Sequence, residues 1–121
     1  MKTVLIVDDD EPTRDFMKQL VDSLGYKVLW AADGQAAMDI AVQSQPDLML
    51  LDVMMPEKHG YSVCHSIKTD AVLKRIKVVF LTSKAFPADR RQAQEVGADD
   101  YIAKPVTRDQ LGAVLKQHLG E

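Results

Sequence analysis

Leu48-Met49-Leu50-Leu51-Asp52 is the stretch on which the fold turns. Four apolar residues run without interruption and an acid closes them. A run that short, with no polar alternation, is the pattern of a strand covered on both faces. Outward from it lie two runs of the same kind, Val4-Leu5-Ile6-Val7 and Val78-Val79-Phe80-Leu81. Two thinner runs, Lys27-Val28-Leu29-Trp30-Ala31 and Tyr101-Ile102-Ala103, suit the edges of the same sheet.

Helix punctuation fills the intervals. Pro12 fits a first helical turn, and Gly25 stops that helix after Leu24. Phe16, Leu20, Val21 and Leu24 share one face and are expected to pack inward. Asp33 can cap the second helix, whose Ala37, Ile40 and Ala41 face the core. Val63, Cys64 and Ile67 form the inward stripe of a third. A fourth runs from about Ala88 to Val96 and ends at Gly97, with Ala93 and Val96 as its inward residues. Thr107 can cap the last, which carries Leu111, Val114, Leu115 and Leu119 at core spacing.

Five strands alternating with five helices predict an α/β fold with a parallel sheet. Right-handed crossovers favour a three-layer (βα)5 sandwich of the flavodoxin-like order 2-1-3-4-5. The whole chain, residues 1–121, reads as one domain.

Composition narrows the function. Hydrophobic residues make up 46% of the chain, enough for a core. Net charge is −3 with both signs dispersed, so there is no basic stripe for direct nucleic-acid binding. The single cysteine, Cys64, cannot form an internal disulfide and reads as a small core hydrophobe. No apolar stretch reaches the length of a membrane span, and acids follow the first strand at once, unlike a signal peptide. The expected location is the cytoplasm, away from membranes.

In sheets of this order, function gathers outside the carboxyl ends of the strands. Strand one ends in Asp8, Asp9 and Asp10, strand three in Asp52, strand four in Thr82 and Ser83, and strand five in Lys104-Pro105. Asp8, Asp9 and Asp52 would meet in one crevice. Carboxylates that close repel one another unless a cation sits among them. Oxygen ligands alone suit a hard divalent ion, Mg2+ or Mn2+. Asp10 fits a helix cap better than a ligand. Lys104 can pair with Asp52 and then with a bound phosphoryl group. The Thr82 hydroxyl is placed to hydrogen-bond a phosphoryl oxygen. Together these are the parts of a phosphoryl-transfer site with a carboxylate nucleophile. His59, His65 and His118 lack metal-ligand spacing, and Trp30 reads as packing on an edge strand.

The chain resembles, over its full length, the receiver domains of bacterial two-component response regulators. The markers are Val7-Asp8-Asp9, Leu51-Asp52-Val53-Met54-Met55-Pro56 with Gly60, Leu81-Thr82-Ser83, Gly97-Ala98-Asp99-Asp100-Tyr101 and Lys104-Pro105. The resemblance implies that Asp52 takes a phosphoryl group from a histidine of a sensor kinase or phosphotransfer protein. It implies magnesium ligation by Asp9, Asp52 and the backbone carbonyl of Met54, with Asp8 acting through water. It implies a cis bond before Pro105, and a switch in which Thr82 and Tyr101 move together. The face of helix four, strand five and helix five would then be read by a downstream effector protein or output domain. The resemblance implies a switch that catalyses its own phosphorylation and slow dephosphorylation rather than an enzyme that turns over a substrate.

Some positions depart from the usual pattern. Met54 is apolar and Lys84 cationic, where the family tunes attack by water, which predicts slow loss of phosphate. Gln92 and Val114 stand where the dimerising DNA-binding branch carries arginines. Rival readings fare worse. A haloacid-dehalogenase-like phosphatase needs its nucleophile after the first strand and a second aspartate two residues on, where Met54 stands. A flavodoxin-like cofactor binder needs a phosphate-cradling loop where the acids lie. A phosphorylation-independent interaction module of receiver type remains the alternative, although such domains lose acids, lysine or acceptor and this chain keeps them all.

Overall fold

The computed structural model describes residues 1–53, 60–83 and 87–120. Five strands, β1 (Thr3–Val7), β2 (Lys27–Ala31), β3 (Leu48–Asp52), β4 (Lys77–Thr82) and β5 (Asp100–Ala103), form one sheet in the order β2-β1-β3-β4-β5. All four pairings are parallel. The helices between and after them are α1 (Glu11–Ser23), α2 (Gly34–Ser44), α3 (Gly60–Thr69), α4 (Pro87–Glu95) and α5 (Arg108–Leu119). Among the described residues no helix is long and apolar enough to cross a membrane.

Two cores follow from strand alternation. Leu5, Val7, Met49, Leu51, Val78 and Phe80 face one side and pack with Ala37 and Ala41 of α2, Val63, Cys64 and Ile67 of α3, and Ala93 of α4. Val4, Ile6, Leu48, Leu50, Val79 and Leu81 face the other and pack with Met17 and Val21 of α1 and Leu111 and Leu115 of α5. Because both faces are covered, β3 is buried at every position while β2 and β5 are only partly so.

The caps act as their residue types require. Asp10 accepts the Thr13 N–H at 3.1 Å and also bonds the Thr13 hydroxyl, Asp33 accepts from Ala36 N–H at 2.8 Å, and Thr107 Oγ1 accepts from Gln110 N–H at 3.1 Å. Gly25, at φ +93°, turns the chain out of α1 in the left-handed region.

The expected face of α1 needs correction at one residue. Phe16 is 56% exposed, whereas Val21 is fully buried and Leu20 and Leu24 are half-buried and pack against the core. The buried stripe is Arg14, Met17 and Val21, at i, i+3 and i+7. The helix is therefore turned by about one residue from the orientation its larger apolar side chains suggest. Ile40, Val96, Val114 and Leu119 lie half-buried at the margins of the cores. Trp30 is 47% exposed, its ring covered on one side by Arg14 and Lys18.

Candidate functional site: an acidic pocket at the carboxyl edge of the sheet

Parallel register brings the strand ends level. Asp52 is paired with Leu81, and Thr82 with Ala103, so β3, β4 and β5 finish side by side. The Lys104 N–H donates to the Thr82 carbonyl at 2.8 Å and carries the ladder one residue further. The Lys104–Pro105 bond is cis.

Asp8, Asp9 and Asp52 each present a carboxylate oxygen, and these atoms all lie within 4.8 Å of one another. Asp8 is buried, Asp52 nearly so, and Asp9 is exposed. Asp8 is held from several directions. Its N–H donates to the Ala31 carbonyl at 3.2 Å, its Oδ1 accepts the Asp10 N–H at 2.9 Å, and its Oδ2 faces Lys104 Nζ at 3.4 Å. Lys104 Nζ lies 3.8 Å from Asp52 Oδ2. The pairing expected of Lys104 with Asp52 is thus shared with Asp8, which is nearer.

The charges do not balance within this set. Three carboxylates meet one ammonium, and like charges at such separations repel by about 3 kcal/mol per pair at an effective dielectric of about 20. An all-oxygen donor set with surplus negative charge is chemically suited to a hard divalent cation. The residues present therefore fit a magnesium-type site. The Met54 carbonyl, assigned to the same ion by resemblance, lies outside the described residues, as do Lys84 and His59.

Thr82 ends β4 and is 1% exposed. Its hydroxyl is hydrogen-bonded with that of Tyr101, whose half-buried ring packs on the core beneath α4. Burial and then the nearby Asp89 carboxylate raise the Tyr101 phenol above its ordinary value. The Arg90 guanidinium lies 5.4 Å from the centre of that ring. Close approach shapes the other wall. A Cβ at Gly60 would fall 2.6 Å from the Asp52 carbonyl oxygen, so only glycine lets α3 start against the end of β3.

The remaining candidates sort as their environments dictate. Asp10 caps α1. Cys64 is fully buried, and burial pushes its thiol up to about 12. His118 pairs with Asp100 at 2.9 Å, and His65 is exposed. Arg14 was not anticipated. It is 8% exposed and its Nη1 donates to the Asp8 carbonyl at 3.1 Å. The signal that could have found it is its 14-17-21 spacing with Met17 and Val21.

Fold and pocket together define an α/β domain built around an acidic, cation-compatible crevice. Residues 4–116 match the family model of the response regulator receiver domain, and the chain belongs to that family, the phosphoacceptor switches of two-component signalling. It is similar to the phosphate regulon transcriptional regulatory protein PhoB of Pseudomonas aeruginosa, 40% identical over 115 residues, or 95% of this chain and 50% of the relative. It is also similar to the polar-differentiation response regulator DivK of Brucella anthropi, 32% identical over 120 residues, or 99% and 98% of the two chains. Among solved structures, the receiver domain of a Pseudomonas aeruginosa sensor histidine kinase superposes with a TM-score of 0.91 at 31% identity, covering 99% of this chain and 98% of that one. That structure has a magnesium ion coordinated in its active site cleft. The chain spans 43% to 50% of the length of the first transcriptional regulators it matches.

Proposed function

We propose that Asp52 is the phosphoacceptor and that Asp8 and Asp9 join it in holding the divalent cation, Mg2+ or Mn2+. The observation that carries this is the meeting of three carboxylates within 4.8 Å beside the Lys104 ammonium. A carboxylate oxygen of Asp52 attacks the phosphorus of a phosphohistidine. The P–O bond forms as the P–N bond breaks, and the imidazole leaves with that electron pair as a neutral ring protonated on its other nitrogen. The cation, when bound, neutralises charge on the phosphoryl oxygens. Lys104 needs only a small shift to exchange its carboxylate partners for a phosphoryl oxygen. Thr82 supplies a hydroxyl donor from a buried position, where such a bond is strongest.

The donor in this reading is a sensor histidine kinase or a phosphotransfer protein. The reader is a downstream effector or an output domain, as the similarity to regulators of about twice this length supports. Thr82, Tyr101 and Pro105 link pocket to readout. When Thr82 turns to the phosphoryl group it changes its bond with Tyr101, and Tyr101 lines a 220 Å³ hollow between α4 and β5 with Arg90, Ala93 and Gln94. Self-dephosphorylation is slow, because neither Met54 nor Lys84 can accept a hydrogen bond from an attacking water.

The test is transfer from a radiolabelled phosphohistidine donor in the presence of magnesium. Label should move to this chain, be released by hydroxylamine as an acyl phosphate must be, and be absent from Asp52→Asn. Label retained by Asp52→Asn, or stable to hydroxylamine, would overturn the assignment.

A further inference from the structure

Arg14 occupies a position where charge is costly. It lies on the inward stripe of α1 between the helix and the sheet, 8% exposed. Its Nε is buried with no hydrogen-bond partner among the described residues. A buried donor left without a partner destabilises the fold, and an apolar side chain would pack the stripe without that cost. The hydrogen bond found for the guanidinium goes from Nη1 to the carbonyl of Asp8. The guanidinium carbon also lies 4.5 Å from the centre of the Trp30 ring, over its face. Trp30 is the single tryptophan of the chain.

A second link joins the same two points. The Asp8 N–H donates to the carbonyl of Ala31, the residue after Trp30. The end of β2 therefore grips Asp8 on its N–H directly and on its carbonyl through Arg14. Any movement of Asp8, or any change of charge beside it, reaches the indole through a stiff, planar, permanently charged group.

We propose that Arg14 is a positioning residue for the acid cluster, and that through it Trp30 senses whether the cluster holds a divalent cation. The inference rests on the reading of Asp8, Asp9 and Asp52 as a cation site. Arg14 fixes the backbone of Asp8 so that its carboxylate stays turned toward Asp9 and Lys104. A cation entering beside Asp8 repels the guanidinium and shifts it against the ring, and indole emission responds to a charge moved at that distance.

The test is a titration with magnesium chloride, followed by calorimetry for binding and by Trp30 emission for sensing. In the wild type, emission changes saturably with a midpoint equal to the calorimetric Kd. Arg14→Met keeps an unbranched apolar stem, shorter than that of arginine, and removes the charge and the hydrogen-bond donors. It should bind magnesium about tenfold more weakly, because the lost orientation of Asp8 outweighs the repulsion removed with the charge, and its emission should no longer follow binding. Arg14→Lys restores a donor for the Asp8 carbonyl without the planar fork, so affinity recovers in part while the optical response stays small. Far-UV circular dichroism checks that each variant is folded, and the wild-type comparison stands if Arg14→Met does not fold. Wild-type emission that stays flat while calorimetry saturates would overturn the inference and leave the cation site intact, as would wild-type affinity in a folded Arg14→Met. A wild type that shows no magnesium binding by calorimetry would overturn the site reading and this inference with it.

Discussion

At the scale of single residues, the pocket depends on side chains that are absent as much as on those present. Gly60 is the clearest case. A Cβ there would meet the Asp52 carbonyl oxygen at 2.6 Å and the Val53 Cα at 2.9 Å, and neither backbone atom can move without moving Asp52. Gly60→Ala should lower stability by about 1–3 kcal/mol, the cost of overpacking a close contact, and slow acceptance of phosphate. Urea denaturation and the rate of modification by acetyl phosphate read the two effects. Asp10 carries a pH-dependent contribution. Hydrogen bonds from the Thr13 hydroxyl, then from its N–H, hold the Asp10 carboxyl below its ordinary 3.8. A depressed folded value means that the cap stabilises fully above 3.8 and fades as pH falls through that lower value. Asp10→Ala should melt lower than wild type at pH 7, and the gap between the two should close as the pH is taken below 3.8.

Elements show where sequence reasoning succeeds and where it stops. The strands β1, β3 and β4 are legible because burial on both faces demands unbroken apolar runs, and the acids and Thr82 stand out because they close such runs, while Lys104 follows the thinner run of β5. The face of α1 is not legible by hydrophobicity alone. Apolar spacing selects Phe16, Leu20, Val21 and Leu24, yet Phe16 faces outward and the inward stripe contains an arginine whose stem packs while its head bonds Asp8. A pattern that admits only apolar residues turns the helix toward Phe16 and hides Arg14. The fourth helix is a different matter. Ala93 is its buried apolar residue among those described, which leaves α4 with little to hold it against the sheet. Few buried contacts mean low local stability. Amide hydrogen exchange should be faster in α4 than in β3 by several orders of magnitude, and phosphorylation should change protection in α4 and β5 more than in β1. Equal protection of α4 and β3, unchanged by phosphate, would contradict a switch seated there.

For the molecule as a whole, the sheet is a device for making separate strand ends converge. Its register holds three carboxylates together against their repulsion, and the rest of the fold supplies the energy that keeps them there. Removing one acid should therefore relieve strain and abolish its use. Asp9→Asn should raise the melting temperature in chelator, a gain of roughly 1 kcal/mol once the repulsion of an exposed group is discounted for solvent screening. The same variant should lose the further rise that saturating magnesium gives the wild type by binding the native state alone. Differential scanning calorimetry with and without magnesium separates the two effects. An Asp9→Asn protein that is less stable in chelator, yet equally stabilised by the ion, would show that the cluster is neither strained nor a ligand set.

The measurement that bears most directly on Asp52 as acceptor is intact mass after incubation with acetyl phosphate, with magnesium and with chelator, on wild type and on Asp52→Asn. The wild type should gain the mass of one phosphoryl group only when magnesium is present, and the variant should gain none under either condition. A gain in Asp52→Asn equal to that of wild type, or no gain in a folded wild type with magnesium bound, would contradict it.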